Sequence, residues 1–369
     1  ALGAVETLIK SHPNDPVLLN ISGACCAGLG QLDKALKSYE KALTIKPDYA
    51  GVHYNLGVTL QELGQLDAAV KSYEKALAIK PDYADAYINL GITLKNLGQL
   101  DASIKSFEKA LAINPNYAKA HNNLGNALDD LGQLDAAVKS YEQALAINPD
   151  FAEVHNNLGK TLKNLGQLDI SIKSFEQALA IKPDYAEAHN NLGNALKDLG
   201  QLDASIKSFE KALAIKPDYA VTHNNLGLSL VELGRLDAAL KSYEKAIAMK
   251  PDFAEAYRNL GSVMLCLKRV DEAMTSFERA LALNPKLNFL LGHLLHTKMH
   301  LCLWDGLSSM LNELQNKINN NEKVTDPFVM LGLIDDPELQ RKASEIFANK
   351  KYPKSHDLPR IGLYPKHKK

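Results

Sequence analysis

Residues 186–219 read AEAHNNLGNALKDLGQLDASIKSFEKALAIKPDY, and this stretch decides the fold. Ala186, His189, Leu192, Gly193 and Leu196 recur at helical spacing and predict a first helix, A. Asp184 precedes it and Glu187 follows three residues later, a capping-box pattern with Asp184 as the cap. Gly200 falls where helix A must stop, and glycine accepts the left-handed backbone that ends a helix. Leu202, Ile206, Phe209 and Leu213 predict a second helix, B, with Asp203 in its first turn, where negative charge suits the helix dipole. Pro217 stops helix B and biases Lys216 away from helical backbone. Gly193, Ser205 and Ala212 let the helices approach closely, while Leu192, Leu196, Phe209 and Leu213 fill the gaps between them.

The same stretch recurs along the chain. Pro47, Pro81, Pro115, Pro149, Pro183, Pro217, Pro251 and Pro285 are spaced by 34 residues, as are the glycines from Gly23 to Gly261 and the alanines from Ala42 to Ala280. Eight units therefore run from residue 16 to residue 287 and cover 272 of 369 residues. Residues 1–15 read as the second helix of a truncated earlier unit, with Ala1 and Pro13 in phase, so the natural chain is expected to begin further upstream. Residues 288–369 lack the period and read as a helical linker or tail. Within it, 287–303 is an apolar helix, 307–318 an amphipathic one, and 319–327 a polar loop. Asp336-Pro337 opens a short helix, and prolines mark an irregular stretch from Tyr352. Nine Lys/Arg against two Asp/Glu make residues 341–369 locally basic.

Composition narrows the function classes. Forty-two basic residues against 43 acidic give a net charge of -1, which excludes a generally basic nucleic-acid binder. An apolar content of 46% suffices for a folded core. No run of about 18 apolar residues exists to span a membrane. The first residues, ALGAVE, resemble no signal peptide, so a cytoplasmic location is expected, or a nucleocytoplasmic one in a eukaryote. Cys25, Cys26, Cys266 and Cys302 have neither disulfide-framework nor zinc spacing and are expected as buried thiols.

The Leu-Gly pair of helix A, the Ala, Tyr or Phe, and Ala of helix B, and the closing Pro resemble the tetratricopeptide (TPR) repeat. Departures fall in the end units: Leu19, Ile21 and Ser22 in the first, and Leu267-Lys268-Arg269 in place of Leu-Gly-Gln in the last. The resemblance implies an all-α fold, a right-handed superhelical solenoid of eight full repeats plus a half repeat, with A helices lining its concave face. A protein-interaction module is the function it implies.

The strongest functional pattern is a ladder. Asn55, Asn89, Asn123, Asn157, Asn191, Asn225 and Asn259 occupy one place in seven successive A helices, and Asn122, Asn156, Asn190 and Asn224 stand beside four of them. A side-chain amide offers donors and an acceptor that match one peptide unit. Packed helices lie roughly 8–10 Å apart, and three extended residues span about 10 Å. One Asn per repeat can therefore grip a peptide backbone at about every third residue, with loose sequence preference. The alternative is that Asn merely tops a helix face here. Asp129, Asp130, Asp198, Glu232, Lys95, Lys160, Lys163 and Lys197 point either to side-chain selectivity along the same groove or to a solvated face.

Other constellations carry less. His53, His121, His155, His189 and His223 share one repeat position and are too far apart to converge on a metal. They are expected to pack, as Tyr87 and Tyr257 do at that position. His296 and His300 stand four residues apart, but Thr297 replaces the glutamate of H-E-x-x-H. With His293 they leave a zinc site or half-buried helix histidines as alternatives. No phosphate loop, G-x-S-x-G elbow or paired catalytic carboxylates occur, so neither catalysis nor a cofactor is expected. The aromatics sit at core repeat positions and form no stacking platform for bases.

In the tail, Leu294-Leu295-His296-Thr297-Lys298-Met299, Trp304-Asp305, Pro327-Phe328 and the run from Asp336 to Ala343 resemble the stretch after the TPR arm of O-linked N-acetylglucosamine transferases and SPINDLY proteins. The resemblance covers most of residues 289–365. It implies an arm that recruits acceptor proteins, or their unstructured segments, to a C-terminal glycosyltransferase domain of the same parent. This chain carries none of that domain's catalytic motifs. The alternatives are a stand-alone TPR scaffold or co-chaperone-like adaptor, and an enzyme with an unrecognised site in the tail. Near-identical units also leave end faces through which a homodimer can form.

Overall fold

A computed structural model describes residues 2–351, and among them it contains 21 helices and no strand. The chain forms two compact units, one ending at Ala195 and one beginning at Leu196. In the first, α1 (Leu2–Ser11) packs on α2 (Pro16–Gly28), which pairs with α3 (Leu32–Ile45). The next pairs are α4 (Ala50–Glu62) with α5 (Leu66–Ile79), and α6 (Ala84–Asn96) with α7 (Leu100–Ile113). They are followed by α8 (Ala118–Asp130) with α9 (Leu134–Ile147), and α10 (Ala152–Asn164) with α11 (Leu168–Ile181). The boundary between the units falls within α12 (Ala186–Asp198). The second unit continues with α13 (Leu202–Ile215), then α14 (Ala220–Glu232) paired with α15 (Leu236–Met249), and α16 (Ala254–Cys266) paired with α17 (Val270–Leu283). Four helices complete it: α18 (Leu290–His300), α19 (Leu307–Asn319), α20 (Pro327–Leu333) and α21 (Pro337–Lys351).

Seven of the helix pairs close on one contact. A Cβ at Gly23, Gly57, Gly91, Gly125, Gly159, Gly227 or Gly261 would stand 2.5–2.7 Å from a ring carbon of the Tyr or Phe sixteen residues later. Those rings, such as Tyr39, Tyr73, Phe107 and Tyr141, are buried almost completely. Each therefore packs directly on bare backbone and contributes roughly 1.5–3 kcal/mol of burial. Ala42, Ala76, Ala110, Ala144, Ala178, Ala212, Ala246 and Ala280 have no exposed surface, because the helices are too close there for a longer side chain. Where serine replaces alanine earlier in helix B, Ser103 and Ser171 donate to the carbonyls of Gly91 and Gly159, each at 2.7 Å.

The helix ends correct one expectation. Helices α4, α6, α8, α10, α14 and α16 begin after Tyr49, Tyr83, Tyr117, Phe151, Tyr219 and Phe253, none of which makes a side-chain cap. Helix α12 likewise begins at Ala186, so Asp184 stands one residue too early to be its cap. Asp15 occupies the place of those aromatics and does cap α2, accepting from the N–H groups of Val17 and Leu18. At the other end of helix A the glycine expectation holds. Gly30, Gly64, Gly98, Gly132, Gly166, Gly200 and Gly234 all have φ between +72° and +81°. The following N–H reaches back five residues, as from Gln133 to the Leu128 carbonyl at 2.9 Å, which closes a Schellman motif. Lys268 takes the same turn without glycine, at φ 61°, a conformation that costs a Cβ-bearing residue about 1 kcal/mol.

The tail differs from its sequence reading in three places. The first helix is shorter and starts at Leu290, because Phe289 adopts a left-handed φ of 65°. Asp326 and Pro327 end the polar loop by starting α20, with Asp326 accepting from the Val329 N–H. The helix opened by Pro337 runs fifteen residues rather than a few. The irregular stretch expected from Tyr352 lies outside the described residues. Of the cysteines only Cys26 is buried; Cys25 is half-buried, and Cys266 and Cys302 are exposed, which corrects the expectation of four buried thiols.

Gly125→Ala drives a methyl group into the Tyr141 ring and is expected to lower unfolding free energy by about 1–3 kcal/mol in denaturant titration. Wild-type stability in that variant would show that the ring moves aside freely.

Candidate functional site

The ladder asparagines stand at position six of each unit, counting from residues 16, 50, 84 and so on. In the first unit Asn55, Asn89, Asn123, Asn157 and Asn191 are half-buried. The amides of all but Asn123 make a regular contact that links neighbouring repeats. Asn55 Nδ2 donates to Asn20 Oδ1 at 2.9 Å, Asn89 Nδ2 to the Tyr54 hydroxyl at 2.9 Å, and Asn191 Nδ2 to Asn156 Oδ1 at 2.9 Å. Asn157 Nδ2 donates to both Asn122 Oδ1 and Asn126 Oδ1, each at 3.1 Å. In the second unit Asn259 Nδ2 donates to Asn224 Oδ1 at 2.9 Å. Every acceptor at position five lies 35 residues before its donor, one repeat plus one residue.

The second row of amides is thereby placed below the surface. Asn122, Asn156, Asn190 and Asn224 are 2%, 1%, 5% and 6% exposed. Three of them hold the next rung from beneath, while Asn190 donates to Asn191 Oδ1 at 3.3 Å. Asn259 is closed off as well. Besides its bond to Asn224, its Oδ1 accepts from Arg258 at 3.0 Å, and it is 8% exposed. The guanidinium of Arg258 also reaches the Asn288 carbonyl, and burial lowers its pKa. Asn225 is half-buried and engaged. Spacing at 34 residues reveals the rungs but not the partners Asn20, Tyr54, Asn126 and Arg258. A search at 35 residues finds all but Asn126 and Arg258.

The charged residues flanking the row are largely paired. Lys95 Nζ lies 2.8 Å from Asp130 Oδ2, and Lys197 Nζ lies 2.9 Å from Asp198 and 4.0 Å from Glu232. Asp129 Oδ1 accepts from the Thr161 hydroxyl at 2.7 Å. Lys95, Asp129, Asp130, Lys160, Glu153, Asn126, Tyr141 and Asn157 line one polar recess of about 220 Å³ in the first unit. The Tyr141 hydroxyl donates to Asn126 there, and burial, with Asp129 nearby, raises its pKa. Lys163 is half-buried and engaged.

The shared histidines are brackets within the repeat. Nε2 of His53, His121, His155, His189 and His223 lies 2.8–3.1 Å from the carbonyl of the proline six residues earlier, which ties helix A to the turn before it. Among the described residues no group of three or more His, Cys, Asp or Glu is placed to hold a metal ion. Nor is any helix there long and apolar enough to cross a membrane.

Models of the TPR repeat match residues 26–64, 59–98, 94–132, 125–166 and 161–200, and further tetratricopeptide models match 184–252 and 224–288. The chain belongs to the tetratricopeptide-repeat family. The TPR array is similar to the peroxisomal targeting signal receptors of Kluyveromyces lactis and Saccharomyces cerevisiae, 33% identical over 54 residues in each. Those residues are 15% of this chain and about a tenth of either receptor. The fold is similar to the Cut9–Hcn1 hetero-tetramer of the APC/C, with TM-score 0.56 and 19% identity, covering 72% of this chain and 52% of that one. It is also similar to PilF of Pseudomonas aeruginosa, with TM-score 0.50 and 22% identity, covering 55% and 92%. A further likeness, to YrrB, whose structure is described as a TPR protein with an unusual peptide-binding site, has TM-score 0.45 and 24% identity, covering 51% and 97%.

In the tail following the TPR units, His293 Nε2 lies 3.0 Å from Asp326 Oδ2. Burial works to raise the Asp326 pKa, but the hydrogen bonds from His293 and from the Val329 and Phe328 N–H groups outweigh it and hold the carboxyl below its usual range. The pKa of His296 is also lowered, by burial first and then by His300 and His293. A carboxylate with a depressed folded pKa stabilises the native state above its unfolded value, and that stability is lost as pH falls through the folded value. Asp326→Asn is therefore expected to lower the denaturant midpoint of the second unit at about pH 7, with the gap to wild type closing below about pH 4. A gap independent of pH would show that the pair acts through shape alone.

Proposed function

We propose that the TPR array holds extended segments of partner proteins along its ladder, with Asn55, Asn89, Asn123, Asn157 and Asn191 of the first unit and Asn225 of the second as the contacting rungs. The observation that carries this reading is the disposition of the amides. Asn55, Asn89 and Asn157 spend Nδ2 on the preceding repeat, and their Oδ1 atoms have no partner in the protein. Asn55 and Asn89 each keep an acceptor and one N–H for a peptide unit, while Asn157, whose two N–H groups are both donated inward, keeps its acceptor. Asn122, Asn156, Asn190 and Asn224 serve as supports, and Asn259 terminates the row. The polar recess beside Asn157 supplies local side-chain preference.

We infer further that the array is the acceptor-recruiting arm of a protein O-glycosyltransferase. The resemblance of the stretch from Leu294 to Ala343 to the segment that precedes such a domain supports this reading. A scaffold that captures C-terminal carboxylates is less well supported, because it needs unpaired cations beside the rungs. Lys95 and Lys197 are spent on carboxylates, which leaves Lys160.

Two measurements test these statements. Binding to a library of unstructured Ser/Thr-containing peptides is expected for the wild type. It should be lost when Asn123, Asn157, Asn191 and Asn225 are changed together to Ala, with helical content retained. Unchanged binding in that folded variant would sink the ladder. The reading frame beyond Lys369 is expected to encode a nucleotide-sugar-dependent glycosyltransferase region; its absence would leave a stand-alone scaffold.

A further inference from the structure

Six of the seven rungs are engaged inside the array; Asn123 is the exception. Its Nδ2 is buried and has no hydrogen-bond partner. The cause lies 35 residues earlier, where Ile88 occupies the position that offers Asn20, Tyr54, Asn122, Asn156 or Asn224 to the other rungs. Ile92 likewise stands where Asn126 supplies the second acceptor to Asn157. Ile88 is 3% exposed and belongs to an apolar cluster with Phe107, Ala110, Ala120 and Ala127, so no side-chain acceptor replaces the missing one.

We propose that Asn123 is the rung that sets the register of a bound peptide, a specificity-determining residue that rests on the peptide-binding reading above. A buried donor without a partner raises the free energy of the empty protein. The clipped rungs cannot recover anything of this kind from a ligand, because their inner N–H is already satisfied. Asn123 can. Nothing holds its Nδ2 inward, so rotation about Cβ–Cγ brings the NH2 group out to meet a peptide carbonyl. The carbonyl oxygen then faces the isoleucines, and an under-satisfied oxygen is the better tolerated of the two groups. Asn123 can therefore turn both N–H groups to a ligand without breaking an internal hydrogen bond, which no clipped rung can do, and the peptide residue with its carbonyl best presented settles there.

The test uses the full chain and the peptide library named above, read by fluorescence anisotropy. Asn123→Ala is expected to weaken binding about tenfold, against about threefold or less for Asn55→Ala or Asn89→Ala. Its melting temperature should equal or exceed that of the wild type, since an orphaned donor is removed. Ile88→Asn restores the internal acceptor and is expected to weaken binding with Asn123 intact. Asn156→Ile frees Asn191 from its clip and is expected to tighten binding, which keeps the test decisive if Ile88→Asn does not fold. Equal losses at all three rungs, or a weakened Asn156→Ile, would overturn the assignment while leaving the ladder standing. No binding by the wild type would overturn the ladder itself, and this assignment with it.

Discussion

Everything else in the molecule depends on an aromatic ring lying on a glycine backbone. Helix A carries the glycine and helix B the ring, and in the seven pairs from Gly23 to Gly261 where the contact is seen there is no room for a methyl group between them. That contact sets the distance between the two helices of a pair. The zero-exposure alanines of helix B hold the same distance further along. A helix pair of this kind cannot bury its remaining apolar face alone, so stability is shared with its neighbours, approximately one interface at a time. Alternation of Tyr and Phe at the ring position is tolerated because the ring carbons common to both make the contact. Two of the tyrosines also place the hydroxyl on a polar partner, Tyr73 on Gln61 and Tyr141 on Asn126.

The second constraint runs between repeats rather than within them. Except at Asn123, position six of one repeat is tied to the repeat before, as from Asn157 to Asn122, and that bond lies among apolar helices where an unpaired amide is costly. The array meets the need with different side chains: asparagine for most rungs, a tyrosine hydroxyl for Asn89, and a guanidinium that closes the row at Asn259. The same amides that position the repeats are thus the ones left at the surface. A residue doing both tasks gives up half its hydrogen-bonding capacity to the fold, which lowers its affinity for a ligand and fixes its orientation.

The fold was legible because its determinants repeat. Gly, Ala, the aromatic and Pro at constant spacing leave little freedom, and a pattern copied eight times outweighs any local ambiguity. The cap was misread for a local reason: Asp184 fits the capping box by spacing, but the aromatic after it packs at the helix start and displaces it by one residue. The tail was read less well because it lacks repetition. Left-handed backbone at Phe289 and the short helix from Pro327 have no marker in hydrophobic periodicity. For the ladder, sequence located the rungs but could not separate exposed amides from buried ones. Asn122 and Asn123 are adjacent in sequence and identical in chemistry, and only packing makes one a support and the other a free rung.

Amides suit this surface better than charges for a reason visible in the surroundings. Lys95 with Asp130, and Lys197 with Asp198 and Glu232, neutralise one another beside the row. A charged side chain in place of a rung would demand one charge sign from every partner. A neutral amide competes weakly for such ions and matches the peptide group, which every protein segment carries. On the proposed reading, sequence-tolerant recognition follows from that neutrality, and any preference comes from the few places where the regularity fails, such as the recess beside Asn157 and the isoleucines one repeat before Asn123.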